Sequence, residues 1–343
     1  MKAVGLYKYL PIENEESLID VEIPKPKVGG HDLLVKIKAV SVNPVDAKIR
    51  APKDKIEKEA KILGWDAAGI VEEIGETVSL FKEGDEVYYA GSILRQGSNA
   101  EYQIADERIV GRKPKSLSFE EAAALPLTTI TAWESIFEQM NISTEEKEIN
   151  SQKSILIIGA AGGVGSIAIQ LAKKLAGLKV IATASRDETI EWCKKLGADY
   201  VINHHNNFSD ELDKIGFKEL DYIFCLHTTE KHFPATAELI KPFGKFCSIV
   251  AIKDGELLDM NQIRSKSGSF SWEFMFTKSS FQTPDMISQH NLLNATADLV
   301  DKGIIKTTMT ENLGKLNVEN LKKAHVKIES SKTIGKIVLS GIA

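Results

Sequence analysis

The sequence predicts an α/β protein in which a doubly wound parallel sheet is joined to a barrel-like β unit. A continuously apolar run, Ser154 to Gly159, feeds directly into a glycine-rich turn and a helical stretch, the order a parallel sheet requires. The first third of the chain is instead made of short alternating runs broken by glycine and proline, which suits an all-β unit. With 343 residues, 43% apolar and 27% charged, there is material for two or three cores at ~100–200 residues per domain, and a disordered or collagen-like chain is excluded.

Taken in order, Leu34 to Val40 alternates, with Val35, Ile37 and Ala39 on one face and Lys36 and Lys38 on the other, so it is a half-buried strand. Similar runs lie at Gly69 to Ile74, Glu86 to Ala90 and Glu101 to Ile104, punctuated by Gly64, Gly75, Gly84, Gly91 and Gly97. Ser118 with Glu121 forms a capping-box pattern at the start of an alanine-rich helix, and Pro126 suits the first turn of a second helix running to Met140.

After the apolar run come Gly159, Gly162, Gly163, Val164 and Gly165, then helical periodicity through Ile167, Ala168, Leu171, Ala172 and Leu175. Glycines let backbone approach a pyrophosphate, and the free N–H groups and positive dipole end of the helix favour its charge. The second strand, Lys179 to Ala184, ends in Ser185-Arg186-Asp187. A chain that binds NAD usually places an acidic residue there for the ribose 2′-hydroxyl; here Ser185 can donate to a 2′-phosphate and Arg186 can pair with it, so NADPH is the expected cofactor. His204, after the next strand, is a further contact or else a surface histidine. Asp187 is either a ribose ligand, if the turn shifts by one residue, or the first-turn acid of the following helix.

Further strands are expected at Tyr200 to Asn203, Asp221 to Leu226 and Gly244 to Ala251, with helices at Glu188 to Leu196 and Pro234 to Ile240. A strand from Phe270 to Phe276, a helix from Asp285 to Lys302, a helical segment at Leu321 to Val326 and a last strand at Lys336 to Leu339 complete the reading. Phe270, Trp272, Phe274 and Phe276 alternate and suit a dimer or core surface.

Forty-three Lys and Arg against forty-eight Asp and Glu give a net charge of −5, which offers nucleic acid no general attraction. Cys193, Cys225 and Cys247 are too few and too far apart for a disulfide framework or a zinc ribbon, and a reducing cytoplasm suits them. No secretory h-region follows Met1 and no apolar window approaches ~18 residues, so a soluble protein without a membrane partner is expected.

The motifs SVNPVD at Ser41 to Asp46, GWDAAGIV at Gly64 to Val71, RQGSNAEY at Arg95 to Tyr102, LPLTTITAW at Leu125 to Trp133 and the terminal GKIVLSG resemble the quinone oxidoreductase branch of the medium-chain dehydrogenase/reductase superfamily. More closely they resemble its zinc-type alcohol dehydrogenase-like proteins. The resemblance covers essentially the whole chain. It implies a GroES-like catalytic domain from both chain ends (1–125 and 277–343), a Rossmann NADP-binding domain between them (126–276), a substrate cleft at their junction and an edge-to-edge homodimer through the Phe270 strand.

Zinc-dependent relatives present thiolate and imidazole to a catalytic metal, because Zn²⁺ favours S and N ligands. By position the first Cys corresponds to Asn43, the His of Gly-His-Glu to Trp65, and the third ligand falls near Leu127 or Thr128. The stretch 85–110, where a four-Cys structural site is expected, contains no cysteine, and His204 and His205 lack a matching cluster. Zinc is therefore expected to be absent. Without a Lewis acid an isolated ketone is a poor hydride acceptor, whereas a quinone or α,β-unsaturated carbonyl spreads the incoming charge.

The resemblance places Asn43, Asp46, Lys48, Trp65, Asp66 and Thr131 in the catalytic site. Asn43 and Thr131 would position nicotinamide or substrate, and Lys48, where some quinone reductases carry Tyr, would donate a proton or polarise oxygen. Each has a structural alternative: Asx-type turn bonds for Asn43 and Asp46 around Pro44, solvation for Lys48, core packing for Trp65, an inter-domain backbone contact for Asp66, and a helix back-bond for Thr131. The expected function is a zinc-independent, NADPH-dependent reductase of quinones or enones. Two alternatives stand beside it: a zinc alcohol dehydrogenase and a non-catalytic NADPH-binding module.

Overall fold

Strands from the two ends of the sequence pair with each other in the computed structural model, which describes residues 1–342. Lys336–Ile342 runs antiparallel to Asp32–Val42, with Ile337 opposite Val42 and Val338 opposite Ser41. The chain divides into two units, one of 1–130 with Phe276 onward, the other Thr131–Met275.

The first unit holds a seven-stranded sheet. Its order is Met309–Leu316, Lys336–Ile342, Asp32–Val42, Ala67–Ile74, Glu86–Tyr89 and Val110–Arg112, with Tyr102–Asp106 also paired to Asp32–Val42. Asp32–Val42 lies inside the sheet and is covered on both faces along most of its length: Leu33, Leu34 and Val35 and then Ala39 to Val42 are buried, and only Lys36 stays in solvent, so the half-buried strand expected from the alternation is more deeply buried than its pattern implies. A three-stranded sheet of Ile19–Glu22, Lys2–Tyr9 and Lys53–Ile62 lies in the same unit. Lys53–Ile62, sequence KDKIEKEAKI, has too few apolar residues to signal a strand; it forms one by pairing with Lys2–Tyr9, and its charges lie on an exposed edge. Ser118 caps the helix Phe119–Ala123 as expected, its hydroxyl accepting from Glu121 N and its own N–H donating to the Glu121 carboxylate.

In the second unit six parallel strands are ordered Tyr200–Ile202, Lys179–Thr183, Ser154–Ile158, Leu220–Cys225, Ile240–Ser248 and Ser269–Trp272. This is the doubly wound sheet the sequence predicts. Ser154–Ile158 is one of the two innermost strands and every one of its residues is buried, which explains its unbroken apolar run. Leu156 and Ile158 join Ile181, Ile223, Phe233 and Phe246 in one core cluster.

Two expected elements are corrected. The helix placed at Pro234 to Ile240 is Thr229–Ala237, with Pro234 inside it, and Ile240 already belongs to the next strand. Pro234 fits the helix interior of a short helix at the loss of one backbone hydrogen bond. The strand placed at Phe270 to Phe276 stops at Trp272, because its partner ends at Ser248, opposite Trp272. Phe276 is buried in the first unit, with its ring edge-on to Trp65 at 6.3 Å between centroids.

Leu156→Ala should destabilise the protein by about 2–5 kcal/mol, since it opens a cavity in the middle of the sheet. The same change at Leu257, which is 89% exposed, should stay within about 0.5 kcal/mol. Urea denaturation of both variants checks this; equal effects would contradict the placement of the core.

Candidate functional site

The helix Pro44–Arg50 begins where the central strand of the first unit ends. Pro44 occupies its first position, where no N–H is needed, and the Asn43 N–H donates to Asp46 Oδ2 at 2.6 Å, closing the first turn. The Asx-type reading of Asn43 and Asp46 is thus part of what the structure contains.

Around this turn the first unit buries four of the expected residues together: Asn43, Asp46, Trp65 and Asp66. Asn43 Nδ2 donates to Asp66 Oδ2 at 2.8 Å and to the Trp65 carbonyl at 3.2 Å. Asp66 Oδ1 accepts the Leu127 N–H at 2.8 Å, so Leu127 enters through its backbone. The Trp65 indole donates to the Ser92 carbonyl at 3.1 Å and packs on Phe276. Lys48 is exposed on the same helix and takes no part. Thr131 is buried in the other unit.

A fifth residue completes the cluster, and sequence reasoning missed it. Lys336, the first residue of the C-terminal strand, is buried and donates to Asp66 Oδ2 at 2.9 Å, to the Val42 carbonyl at 3.1 Å and to Asn43 Oδ1. The only sequence signal was a charged residue opening an otherwise apolar strand, Lys336 before Ile337, Val338 and Leu339.

Two buried carboxyls therefore face one ammonium. Burial holds the Asp66 carboxyl above its ordinary range, opposed by Lys336, the Leu127 N–H and the Asn43 amide. Asp46 has weaker support: burial pushes its pKa from 3.8 up to about 7, against the downward pull of the Asn43 backbone N–H, Lys336 and the Gly64 backbone, with Asp66 pushing up, and its Oδ1 has no close hydrogen-bond partner. The ammonium matches one negative charge, and Asp46 takes up a proton near neutrality.

The name zinc enters through the resemblance, and the donor chemistry does not fit it. The positions in question hold a carboxamide already bonded through both its ends and an indole, and a lysine ammonium occupies the oxygens that remain. Among the described residues no group of three or more His, Cys, Asp or Glu is arranged to hold a metal.

In the second unit the three spaced glycines differ in what their positions demand. Gly159 has φ +83°, a conformation L side chains rarely adopt, and its N–H donates to Thr183 Oγ1 at 3.0 Å. A Cβ on Gly165 would lie 2.4 Å from the Ala160 carbonyl oxygen, so helix and turn could not approach. Gly162 has an ordinary φ of −74° and its Cβ would meet only Gly159 O, at 3.5 Å. The fold does not require that glycine. Gly163 and Val164 form the first turn of the helix Gly163–Gln170, which carries no acidic residue there.

At the end of the second strand the Ala184 N–H donates to the Ile202 carbonyl, which sets Ser185 and Arg186 beside the chain leading to His204. Arg186 is half-exposed and reaches Glu188 at 3.1 Å. Asp187 is exposed as the first residue of the helix Asp187–Leu196, the first-turn acid of the alternative reading. The His204 ring lies 4.3 Å from that of His205, and burial, with His205, Lys231 and His227 nearby, lowers its pKa below 6.5.

Asp46 generates a stability prediction. Its folded-state pKa lies above the unfolded value, so the folded protein holds the extra proton between pH ~4 and ~7 and stability falls as pH rises through that window. Asp46→Asn keeps the acceptor for Asn43 N–H and removes the titration. Relative to that variant, the wild type should lose ~2–4 kcal/mol of unfolding free energy from pH 4 to 8, measured by denaturant titration at each pH. Parallel curves would reject the buried proton.

Comparison with known proteins bears on both units. The alcohol dehydrogenase GroES-like domain model matches residues 29–117 and the zinc-binding dehydrogenase model residues 163–289. A zinc-type alcohol dehydrogenase-like protein of Staphylococcus epidermidis is 42% identical over 99% of both chains. A solved structure described as a putative zinc-dependent alcohol dehydrogenase from Rhizobium etli superimposes with a TM-score of 0.94 at 48% identity, covering 100% of this chain and 98% of that one. An NADPH-dependent alkenal/one oxidoreductase of Arabidopsis thaliana chloroplasts is 37% identical over 57% of this chain and 51% of its own. The chain belongs to the medium-chain dehydrogenase/reductase superfamily of oxidoreductases, within its group of zinc-type alcohol dehydrogenase-like proteins.

Proposed function

We propose that the protein is a zinc-independent reductase that uses NADPH to reduce a quinone or an α,β-unsaturated carbonyl. The observation that carries this reading is the buried cluster of the first unit, where ammonium, carboxamide and indole occupy the ground of a metal donor set. A site so built offers no Lewis acid, and an acceptor that already spreads incoming charge fits it best. The alkenal/one specificity and NADPH dependence in the name of the Arabidopsis relative support the same substrate class and cofactor.

Bound NADPH would supply the hydride, with a proton completing the reduction. Toward it the chain offers the helix start at Gly163 with Val164 and Gly165, an ordinary-φ Gly162 that leaves backbone open to a pyrophosphate, and Ser185 and Arg186 for the 2′-phosphate. His204, crowded by other basic groups, would gain from a phosphate dianion beside it. Thr131 is assigned to nicotinamide or substrate positioning and Lys48 to proton donation on the resemblance alone. A homodimer through Ser269–Trp272 belongs to the proposal, since that strand ends the sheet and Trp272 and Phe274 are exposed beside it. So does a cytoplasmic setting, which suits three unpaired buried cysteines. Among the described residues no helix is long and apolar enough to cross a membrane.

One observation favours a second reading, an NADPH-binding module without turnover: the polar atoms of Asn43 and Asp66 are engaged inside the unit rather than held open. A panel of quinones, enones, aldehydes and alcohols, followed by NADPH oxidation or NADP⁺ reduction, separates the readings. Turnover of conjugated acceptors without added metal supports the reductase, chelator-sensitive alcohol oxidation supports the dehydrogenase, and cofactor binding with no turnover supports the module.

Two cofactor predictions follow from the geometry. NADPH should bind more tightly than NADH by one to two orders of magnitude, ~1.4–3 kcal/mol, and Arg186→Ala should remove most of that difference in a fluorescence titration. Equal affinities in the unmutated protein would transfer the ribose to Asp187. Gly162→Val should weaken NADPH at least about tenfold, while its apo melting temperature falls far less than that of Gly165→Ala. Unchanged affinity in folded Gly162→Val would reject this turn as the phosphate cradle.

A further inference from the structure

Lys336 is 3% exposed, and its ammonium has three hydrogens. Three oxygens meet them: Val42 O at 3.1 Å, Asp66 Oδ2 at 2.9 Å and Asn43 Oδ1. No hydrogen is left for a ligand, so whatever Lys336 does for the reaction passes through its neighbours. Its first effect is on Asn43. An ammonium can only donate, so the carboxamide must turn its oxygen toward Lys336 and its NH₂ toward Asp66 Oδ2 and the Trp65 carbonyl. Its second effect is on Asp66, whose remaining oxygen holds the Leu127 N–H.

One cation thus ties together the end of Asp32–Val42, the residue before Ala67–Ile74, the first turn of Pro126–Trp133 and the start of Lys336–Ile342. The first three of these adjoin the positions, Asn43, Trp65 and Leu127 or Thr128, at which the resemblance places catalytic metal ligands; the fourth brings the lysine. The oxygens there are gathered by an ammonium, as oxygens from separate segments gather around a bound ion. We propose that Lys336 is the positioning residue of the site, an internal cation that replaces the metal ion and fixes the Asn43 carboxamide and the Asp66 carboxylate. The inference rests on the metal-free reading above and adds to it the residue that makes a metal unnecessary.

The assignment separates from a merely structural ion pair by experiment. Lys336→Met alone strands a buried carboxylate and is expected to fold poorly, so it is combined with Asp66→Asn, which removes both charges. In the double variant the melting temperature should return to within about 5 °C of the wild type, while kcat for the conjugated acceptor stays down at least about tenfold and NADPH affinity changes less than about threefold. Recovery of kcat together with melting temperature would overturn the proposal. The unmutated protein gives a readout that needs no variant: the Asn43 side-chain NH₂ should exchange with solvent at least about tenfold more slowly than that of exposed Asn207 in amide NMR spectra. Equal rates would overturn it as well. Failure of the underlying reading looks different: one zinc per chain in the wild-type protein by elemental analysis would remove the metal-free assignment itself.

Discussion

A carboxyl inside a protein must be protonated or surrounded by donors, and Asp66 is wholly buried. The first unit answers with three donors from three places: the Leu127 backbone, the Asn43 amide and the Lys336 ammonium. Each donor brings a segment with it. The end of the central strand, the start of the C-terminal strand and a helix start are held where they are because a negative charge at residue 66 requires company. Breaking such a pair by removing one partner is expected to cost more than never having had it, which is why the cluster behaves as a unit rather than as a set of separate contacts.

The same requirement explains the neighbours. Asp46 lies near the ammonium but does not touch it; Lys336 is saturated by other oxygens, so Asp46 lowers its own burial cost by holding a proton. Trp65 fills the space between Ser92 and Phe276 with a ring whose single polar atom has a carbonyl to meet. Arg50, at the other end of the same helix, is buried in a separate arrangement with Glu329, the Leu10 carbonyl and His325, whose pKa is pushed down to about 3 by burial and by the guanidinium. That helix is therefore fixed at both ends by charge, and its exposed face carries Pro44 and Lys48.

What could be read from the sequence was what depends on local order. The parallel sheet and its glycine turn were legible because strand, turn and helix are contiguous, and the three glycines differ in ways that only the folded chain separates: one by φ, one by a backbone contact, one by neither. Lys53–Ile62 was not legible, since pairing with Lys2–Tyr9 outweighs its own poor strand propensity. The end of Ser269–Trp272 was not legible either, because it is set by where another strand stops. At the site, Asn43, Asp46, Trp65 and Asp66 were found through motifs within 24 residues of one another. Lys336 was not, because its partner Asp66 lies 270 residues away and no local pattern reports a contact of that separation.

That separation also orders events in time. A ribosome adding ~5–20 residues per second makes Lys336 roughly 15–50 s after Asp66, and the whole parallel-sheet unit is completed in between. Through that interval Asp66 has no ammonium to meet, and the strand Asp32–Val42 has an unpaired edge where Lys336–Ile342 will later lie. Until synthesis reaches the C-terminal strand, residues 1–130 of the first unit therefore lack both the strand partner and the ammonium that complete their interior.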